Sequence, residues 1–466
     1  MMTTHLSPWR QRTFLLTFLV LIAVLAACGG TQTAEQPTNP ETAPESEPAT
    51  DAPTEQETSP EEAVAPTDAQ DATIQIAVVA GAMQDTMQTL ADTFEAENPG
   101  INVEIIQEPE GGAFEALIAA GNQPDIITGS FGYMPAKYAS LDALIPLEDL
   151  KGAQELFARL DERTVQQDLG HNYYVPLGVD ITMMIYNKGL FEEAGLDPEN
   201  PPQTFEAFLN AAEKIQALPA REDGTKVYGT VFWNDALSWG GWYWNMLQPI
   251  YLNANQGECD LLNQLGTDIV FDDSACTMDE FFAFTIAAQQ YAPPTMEQDF
   301  FSRSIGMWPQ YGYSWKPNLE TAKDTPMVIG EDVGIAPVPV PSEGDTSYTT
   351  LGGRPLMIMK TTPERQERAW QFVQFLMEDE HNLQFIQELG YLPAITSLQA
   401  NPYFAEPARK PFVDALEHAV YPQAMANFDS AANALLQVYQ EAVVEGKMEP
   451  EAAVTAAAER ARAALE

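Results

Sequence analysis

Six of the eight tryptophans of this 466-residue chain fall in two short stretches. FWNDALSWGGWYWNM holds Trp233, Trp239, Trp242 and Trp244, and GMWPQYGYSW holds Trp308 and Trp315 with Tyr311 and Tyr313 between them. Flat rings cover the apolar C–H faces of sugars, while neighbouring polar groups fix the hydroxyls at the rims. The Gly240-Gly241 pair and the alternation of Gly with Tyr predict loops that expose some of these rings. Aromatic clusters are more often core than binding site, so about half of the rings are expected in a cleft. Trp239, Trp242 and Tyr313 are favoured there, Trp308 and Tyr311 are kept as candidates, and Trp233 and Trp244 are assigned to packing.

A carboxylate supplies the other half of such recognition, because it accepts hydrogen bonds from two adjacent hydroxyls. Asp180 lies in VPLGVDITMMIYNKGLFEEAGL, Val175 to Leu196. This stretch opens on a Pro-Leu-Gly break, runs through an apolar extended segment at Ile181 to Tyr186, and turns into a short helix stopped at Gly195. It reads as the crossing from one lobe to another, with Asp180 as both hinge residue and cleft lining. As a solvated loop acid, Asp180 would have no function. Arg354, beside Gly352 and Gly353, has three readings. It binds a phosphate or carboxylate, orients Asp180, or makes a surface pair worth under ~1 kcal/mol.

Catalysis has little support. The chain has no G-x-S-x-G, no H-E-x-x-H and no Gly-rich phosphate loop. His171, His381 and His418 lack metal-ligand spacing, and no cofactor or metal is expected. With 68 acidic residues, the carboxylate pair of a glycosidase is easy to propose by chance. The residues favour a binding protein over an enzyme.

The elements that must position these residues alternate between strand and helix. Ile74, Ile76 and Val78 alternate as a half-buried strand, and Asp85 is the expected cap of a helix with Met87, Leu90, Ala91 and Phe94 on one face. Ile101, Val103 and Ile105 form a second strand, Phe114, Leu117 and Ile118 a helix, and Pro124 to Ile127 a third strand. Such a series predicts a mostly parallel sheet covered by helices, with ligands at the carboxyl ends of its strands. The loops there are Ala80 to Asp85, carrying Gly81, and Thr128 to Tyr133, carrying Ser130. Further on, Thr204 and Thr362 cap helices, Asp332 to Pro341 and Pro355 to Met359 read as strands, and Pro450 starts an Ala-rich helix.

The start of the chain indicates the compartment. Arg10 and Arg12 precede an apolar run, Thr13 to Ala27, that ends at Cys28. At 1.5 Å per residue the run spans about 22 Å, short of the ~30 Å hydrocarbon core. That favours a signal peptide over residues 1–27 rather than a transmembrane anchor. Leu25-Ala26-Ala27-Cys28 resembles a bacterial lipobox, which implies a lipidated Cys28 holding the mature chain to a membrane surface. Residues 28–72 are then a disordered acidic tether rich in Pro, Thr and Glu. The net charge of −46 argues against nucleic acid as a partner. Cys259 and Cys276 are left to pair in an oxidising compartment, two free thiols being the alternative. The closed loop would contribute about 3 kcal/mol.

From residue 73 on, the chain resembles the extracellular solute-binding lipoproteins of ABC transporters. The match is to family 1, the carbohydrate type, which includes maltose- and glycerol-3-phosphate-binding proteins. The matching pieces are TFEAENPGINVEI, QPDIITGS, VPLGVDITMMIYNKGLFEEAGL with PPQTFEAF, IGMWPQYGY, VGIAPVPVP, LGGRPLMIM with AWQFVQFL, ELGYLPA and GKMEPEAAVTAA, in the family's order. The resemblance implies an α/β, two-lobed periplasmic-binding-protein-like fold (type II). Each lobe would be a mostly parallel sheet flanked by helices, with the lobes joined by crossover strands and closing on solute. The expected division is lobe 1 over 73–180, lobe 2 over 181–332, a return to lobe 1 over 333–377, and lobe 2 again over 378–466.

The implied function is capture of a mono- or oligosaccharide and its delivery to ABC permease subunits. The protein would be a monomer, lipid-anchored on the outer face of the cell membrane. The resemblance also places Asp180 at an acidic sugar contact and Tyr313 at a stacking aromatic. The Gly81-Ala82-Met83 loop lacks the charged pair found there in maltose binders, which argues against maltose itself. The ligand-binding set is thus Gly81, Ser130, Asp180, Trp239, Trp242, Trp308, Tyr311, Tyr313, Gly353 and Arg354. A glycerol-3-phosphate or phosphodiester ligand is the main alternative, and a secreted glycan-active enzyme or adhesin a more distant one.

Overall fold

The computed structural model describes residues 73–109, 113–129, 133–232, 237, 243–295, 299–312, 314, 319, 326–423 and 425–466. The expected signal peptide (1–27), Cys28 and the tether (28–72) lie outside them, as do Ser130, Trp233, Trp239, Trp242, Tyr313 and Trp315.

Alternation builds the first sheet as the pattern predicts. Strand β1 (Thr73–Val78) turns Ile74, Ile76 and Val78 inward. It pairs in parallel with β2 (Asn102–Gln107) and β3 (Ile126–Ile127). The helix after β1 spans Ala82–Glu97 and begins at Gly81, whose φ of 94° a side chain would oppose. Asp85, expected as the cap, sits instead in the first turn, where its charge suits the positive end of the helix.

The crossing stretch is longer and straighter than expected. Strand β4 (Tyr174–Asn187) runs through the Pro-Leu-Gly segment without a break. Its antiparallel ladder with β8 (Thr349–Ile358) shifts register between Pro176 and Gly178. Proline cannot donate to the ladder, and a bulge accommodates it. The far half of β4 pairs with β6 (Ile305–Gly312) and β7 (Val333–Ala336), both antiparallel, and β5 (Tyr228–Thr230) joins β6 in parallel. The strand order is β2-β1-β3-β8-β4-β6-β5, with β7 on β4 and β9 (Ala419–Val420) on β8. Parallel pairing thus dominates the first sheet, and antiparallel pairing enters where chain crosses between the two halves.

Two buried clusters follow from this layout. One fills the first sheet and continues over a face of the second, through Ile181, Met183, Ile185, Trp308 and Tyr311. The other gathers the helices Phe205–Gln216, Trp244–Ala254, Met278–Gln289, Phe428–Tyr439 and Pro450–Leu465 against Met184, Tyr186, Met307 and Ala336. Thr204 and Thr362 cap their helices through side-chain oxygens.

The expected division shifts at two places. Residues Val333–Ala336 pair with the far half of β4, so the return begins at β8 and not at 333. The helix Asp379–Leu389 packs on the helix Ala82–Glu97, where the Thr86 hydroxyl donates to Glu388 at 3.0 Å, so 378 does not open the second half. Chain crosses again only after β9. There the Tyr421 hydroxyl donates to that of Tyr174. The Gln423 side chain meets both Leu262 N (2.9 Å) and Leu262 O (2.7 Å). Leu262 belongs to the loop closed by the Cys259–Cys276 disulfide, whose Cα atoms are 5.4 Å apart.

Candidate functional site

Pairing of β4 with β8 sets Asp180 opposite Gly352 and Gly178 opposite Arg354. Alternation then points Asp180, Thr182, Thr350 and Arg354 into one cleft that is partly open to solvent. Gly353 makes the pairing close enough, since a Cβ there would lie 2.3 Å from Gly178 O. Its φ of 131° also favours glycine.

Asp180 is held from three directions. Its Oδ1 accepts from the Ile181 amide at 2.9 Å, and both oxygens accept from the Ser314 amide at 3.3 Å. The Ser314 hydroxyl also donates to Oδ2. Gly312 permits this approach, because a Cβ there would sit 2.6 Å from Asp180 Oδ2. Asp180 therefore anchors Ser314, two residues past the end of β6.

Arg354 reaches along the carboxyl edge of the first sheet. Its Nε donates to the Tyr391 hydroxyl at 3.1 Å and its Nη1 to Gly129 O, just past β3, at 2.7 Å. Burial opposes its charge, but Tyr391, Glu108 and Asp180 hold its pKa above the usual arginine value. None of the three sequence readings describes these contacts: Arg354 ties Tyr391 and the Gly129 carbonyl together at the wall of the cleft.

The far wall contains a residue the sequence reading passed over. Every residue of helix Trp244–Ala254 is buried except Asn245. Asn245 and Met246 line the cleft, and Asn245 Oδ1 is buried without a hydrogen-bond partner. A buried acceptor left without a donor is costly, and a ligand hydroxyl would satisfy it. The signal was legible as the polar residue in the first turn of a mostly apolar helix. Tyr391 and Ser314 were also missed, because their roles depend on contacts distant in sequence.

The aromatic candidates divide. Trp308 is 2 % exposed and Tyr311 0 %, and both belong to the first core. Trp308 packs against Phe300 and Phe301 and meets Tyr311 edge to face. This corrects their assignment to the cleft: all eight positions of β6 are covered on both faces, leaving no ring to solvent. Trp244 is packed as expected, against Tyr251 and Phe281. Gly81 caps its helix and does not line the cleft. Ser130, Trp239, Trp242 and Tyr313 lie outside the described residues.

Among the described residues, no cluster of three or more His, Cys, Asp or Glu could hold a metal, and no helix is long and apolar enough to cross a membrane.

Comparison with known proteins agrees with this architecture. The chain is 25% identical to a maltotriose-binding protein of Pyrococcus abyssi over 345 residues, covering 71% of this chain and 68% of that one. It is 25% identical to the sn-glycerol-3-phosphate-binding periplasmic protein of Escherichia coli K12 over 347 residues, covering 67% and 72%. The crystal structure of the cyclic alpha-maltosyl-1,6-maltose binding protein of Arthrobacter globiformis superposes with a TM-score of 0.69 at 22% identity, covering 84% of this chain and 98% of that one. The fold is thus the two-lobed α/β fold of such binding proteins. Residues 80–382 match the model of the bacterial extracellular solute-binding protein family, and the chain belongs to that family.

Proposed function

We propose that this chain captures a neutral carbohydrate between its lobes and delivers it intact to the membrane subunits of an ABC importer, without catalysing a reaction. The observation that carries the reading is a cleft lined both by Asn245, whose Oδ1 has no partner, and by Arg354, already tied to Tyr391 and Gly129. Amide and carboxylate acceptors suit hydroxyl donors, whereas a phosphate would meet Asp180 beside the arginine. Trp239, Trp242 and Tyr313 are proposed as the stacking rings and Ser130 as a polar contact, on sequence grounds. Cys28 is proposed as a lipid anchor, with residues 28–72 as the tether of a monomer on the outer membrane face.

The second reading, a glycerol-3-phosphate ligand, is favoured by Arg354 and by the likeness to the glycerol-3-phosphate-binding protein of Escherichia coli. Titrating the purified chain with glucose, maltose, maltotriose and glycerol 3-phosphate, followed by tryptophan fluorescence, separates the two. A neutral sugar that shifts the emission and is recovered unchanged is expected. Binding of glycerol 3-phosphate alone, or release of a cleaved sugar, would refute the proposal.

A further inference from the structure

A second recess lies at the last crossing, next to the cleft, with Pro422 lining both. Its volume is about 410 Å³, within the range of small-molecule sites, and it is open to solvent. Arg163, Val165 and Gln166 of the first half line it, as do Asp260 and Gln264 of the disulfide-closed loop. Between them lie Tyr421, Pro422, Gln423 and Met425. Tyr421 packs on the first buried cluster and Met425 on the second, so the recess bridges both halves. Its lining is fixed by hydrogen bonds. The backbone N–H of Gln166 donates to the Tyr174 hydroxyl at 2.9 Å, and Gln423 is held at both ends by Leu262.

Several polar groups of this lining have no protein partner. Gln166 Oε1 is buried without a hydrogen bond. Among the described residues, the Asp260 carboxylate accepts no hydrogen bond and forms no ion pair, and the Gln264 side chain makes no hydrogen bond. Arg163, by contrast, is engaged by Asp161, with Nε donating to Oδ1 at 2.9 Å and Nη2 to Oδ2 at 2.5 Å. Two acceptors and an amide donor thus stand beside the apolar surfaces of Val165, Pro422 and Met425. Hydroxyl groups suit this set, because each both donates and accepts, whereas an ammonium group only donates. An anion would meet the Asp260 carboxylate.

We propose that this recess is a second binding site, separate from the solute cleft, for a small neutral polyol or monosaccharide held by Gln166, Asp260 and Gln264. An occupant bonded to both walls joins the two halves and stabilises the arrangement in which those walls face each other. The site does not depend on what the cleft holds. With a few hydrogen bonds in a partly open recess, its affinity is on the order of 1 mM.

The test follows hydrogen exchange of the full chain titrated with sorbitol, glucose and putrescine up to about 100 mM. Gln166→Leu, Gln264→Trp and the cleft variant Asn245→Ala are run beside it, with thermal melts as folding controls. Gln166→Leu removes the unpartnered acceptor, and Gln264 is exposed, so a tryptophan there blocks the recess without entering the core. Sorbitol or glucose should slow exchange at residues 163–166 and 260–264, in the wild type and in Asn245→Ala alike. Gln166→Leu should weaken this effect at least about tenfold, and Gln264→Trp should abolish it. The proposal is overturned if the neutral probes leave exchange at the recess unchanged, or slow it evenly along the chain as excluded osmolytes do. Protection by putrescine alone, or protection that persists in both folded recess variants, would overturn it as well. Protection at the recess in a chain whose cleft binds no sugar would instead refute the carbohydrate reading and leave the second site in place.

Discussion

The Ser314 amide donates to both carboxylate oxygens of Asp180, 3.3 Å from each, and the Ser314 hydroxyl adds a further bond to the same group. Asp180 sits mid-strand on β4, where the pairing with β8 gives way to the pairing with β6. One carboxylate thus holds Ser314 against the strand shared by both halves.

Asp180→Asn should therefore weaken solute binding by about one to two orders of magnitude, through loss of a charged acceptor and of the hold on Ser314. Ser314→Ala removes only the hydroxyl contact and should cost less. Calorimetric titration checks both, and equal affinities for all three proteins would rule out Asp180 as an organiser of the site.

Asn245→Ala should lower affinity about tenfold, as expected for one lost hydrogen bond to a hydroxyl. Its melting temperature should hold or rise, because the substitution removes an unsatisfied buried oxygen. A large fall in melting temperature would show instead that Asn245 belongs to the packing of its helix.

Asp168 offers a pH prediction. It is 4 % exposed, its Oδ1 has no partner, and burial raises its pKa to about 7. Below about pH 4 both folded and unfolded chains hold this proton, and the group has no effect on stability. Between about pH 4 and 7 the unfolded chain has released the proton while the folded one keeps it, so this group lowers stability as pH rises. Above about pH 7 the penalty is constant. Asp168→Asn should raise the melting temperature at pH 8 and leave it nearly unchanged at pH 4. A substitution effect independent of pH would contradict the assignment.

Gly353→Ala should destabilise the fold by more than about 2 kcal/mol, since it combines a positive φ with a clash against Gly178 O. Denaturant unfolding measures it. A change below about 0.5 kcal/mol would mean that β8 can move away from β4 at little cost.

Opening the Cys259–Cys276 disulfide, by reduction or by Cys276→Ser, should cost about 2–4 kcal/mol. It should also loosen the Leu262–Gln423 contact that fixes the last crossing. Hydrogen exchange at Leu262 reports this directly, and unchanged protection there would separate the disulfide from the hinge.

Much of the fold was legible because its signals are local. The alternation at Ile74, Ile76 and Val78, and the Thr204 and Thr362 caps, need only near neighbours in sequence. The break expected at Pro176 was misread because a bulge in a paired ladder can accommodate a proline that would end an isolated strand. The boundaries at 333 and 378 failed because strand pairing and helix packing across the chain decide them, and local pattern does not record these. Of the residues lining the cleft, Asp180 and Arg354 were legible, since their types stand out beside glycines and at a crossing. Trp308 and Tyr311 misled, because ring chemistry is the same in a core and in a cleft, and only the covering of β6 distinguishes them. Asn245 was overlooked for the opposite reason: it is an ordinary polar residue made significant by what surrounds it.

The central claim is that the cleft between Asp180, Asn245 and Arg354 holds a neutral carbohydrate. Native mass spectrometry of the chain purified from its own host reads the bound solute directly, with Asn245→Ala as the paired sample. The account predicts a mass increment of one or more neutral hexose-type units on the wild type, much reduced in Asn245→Ala. An increment containing phosphate, or equal occupancy in both proteins, would contradict it.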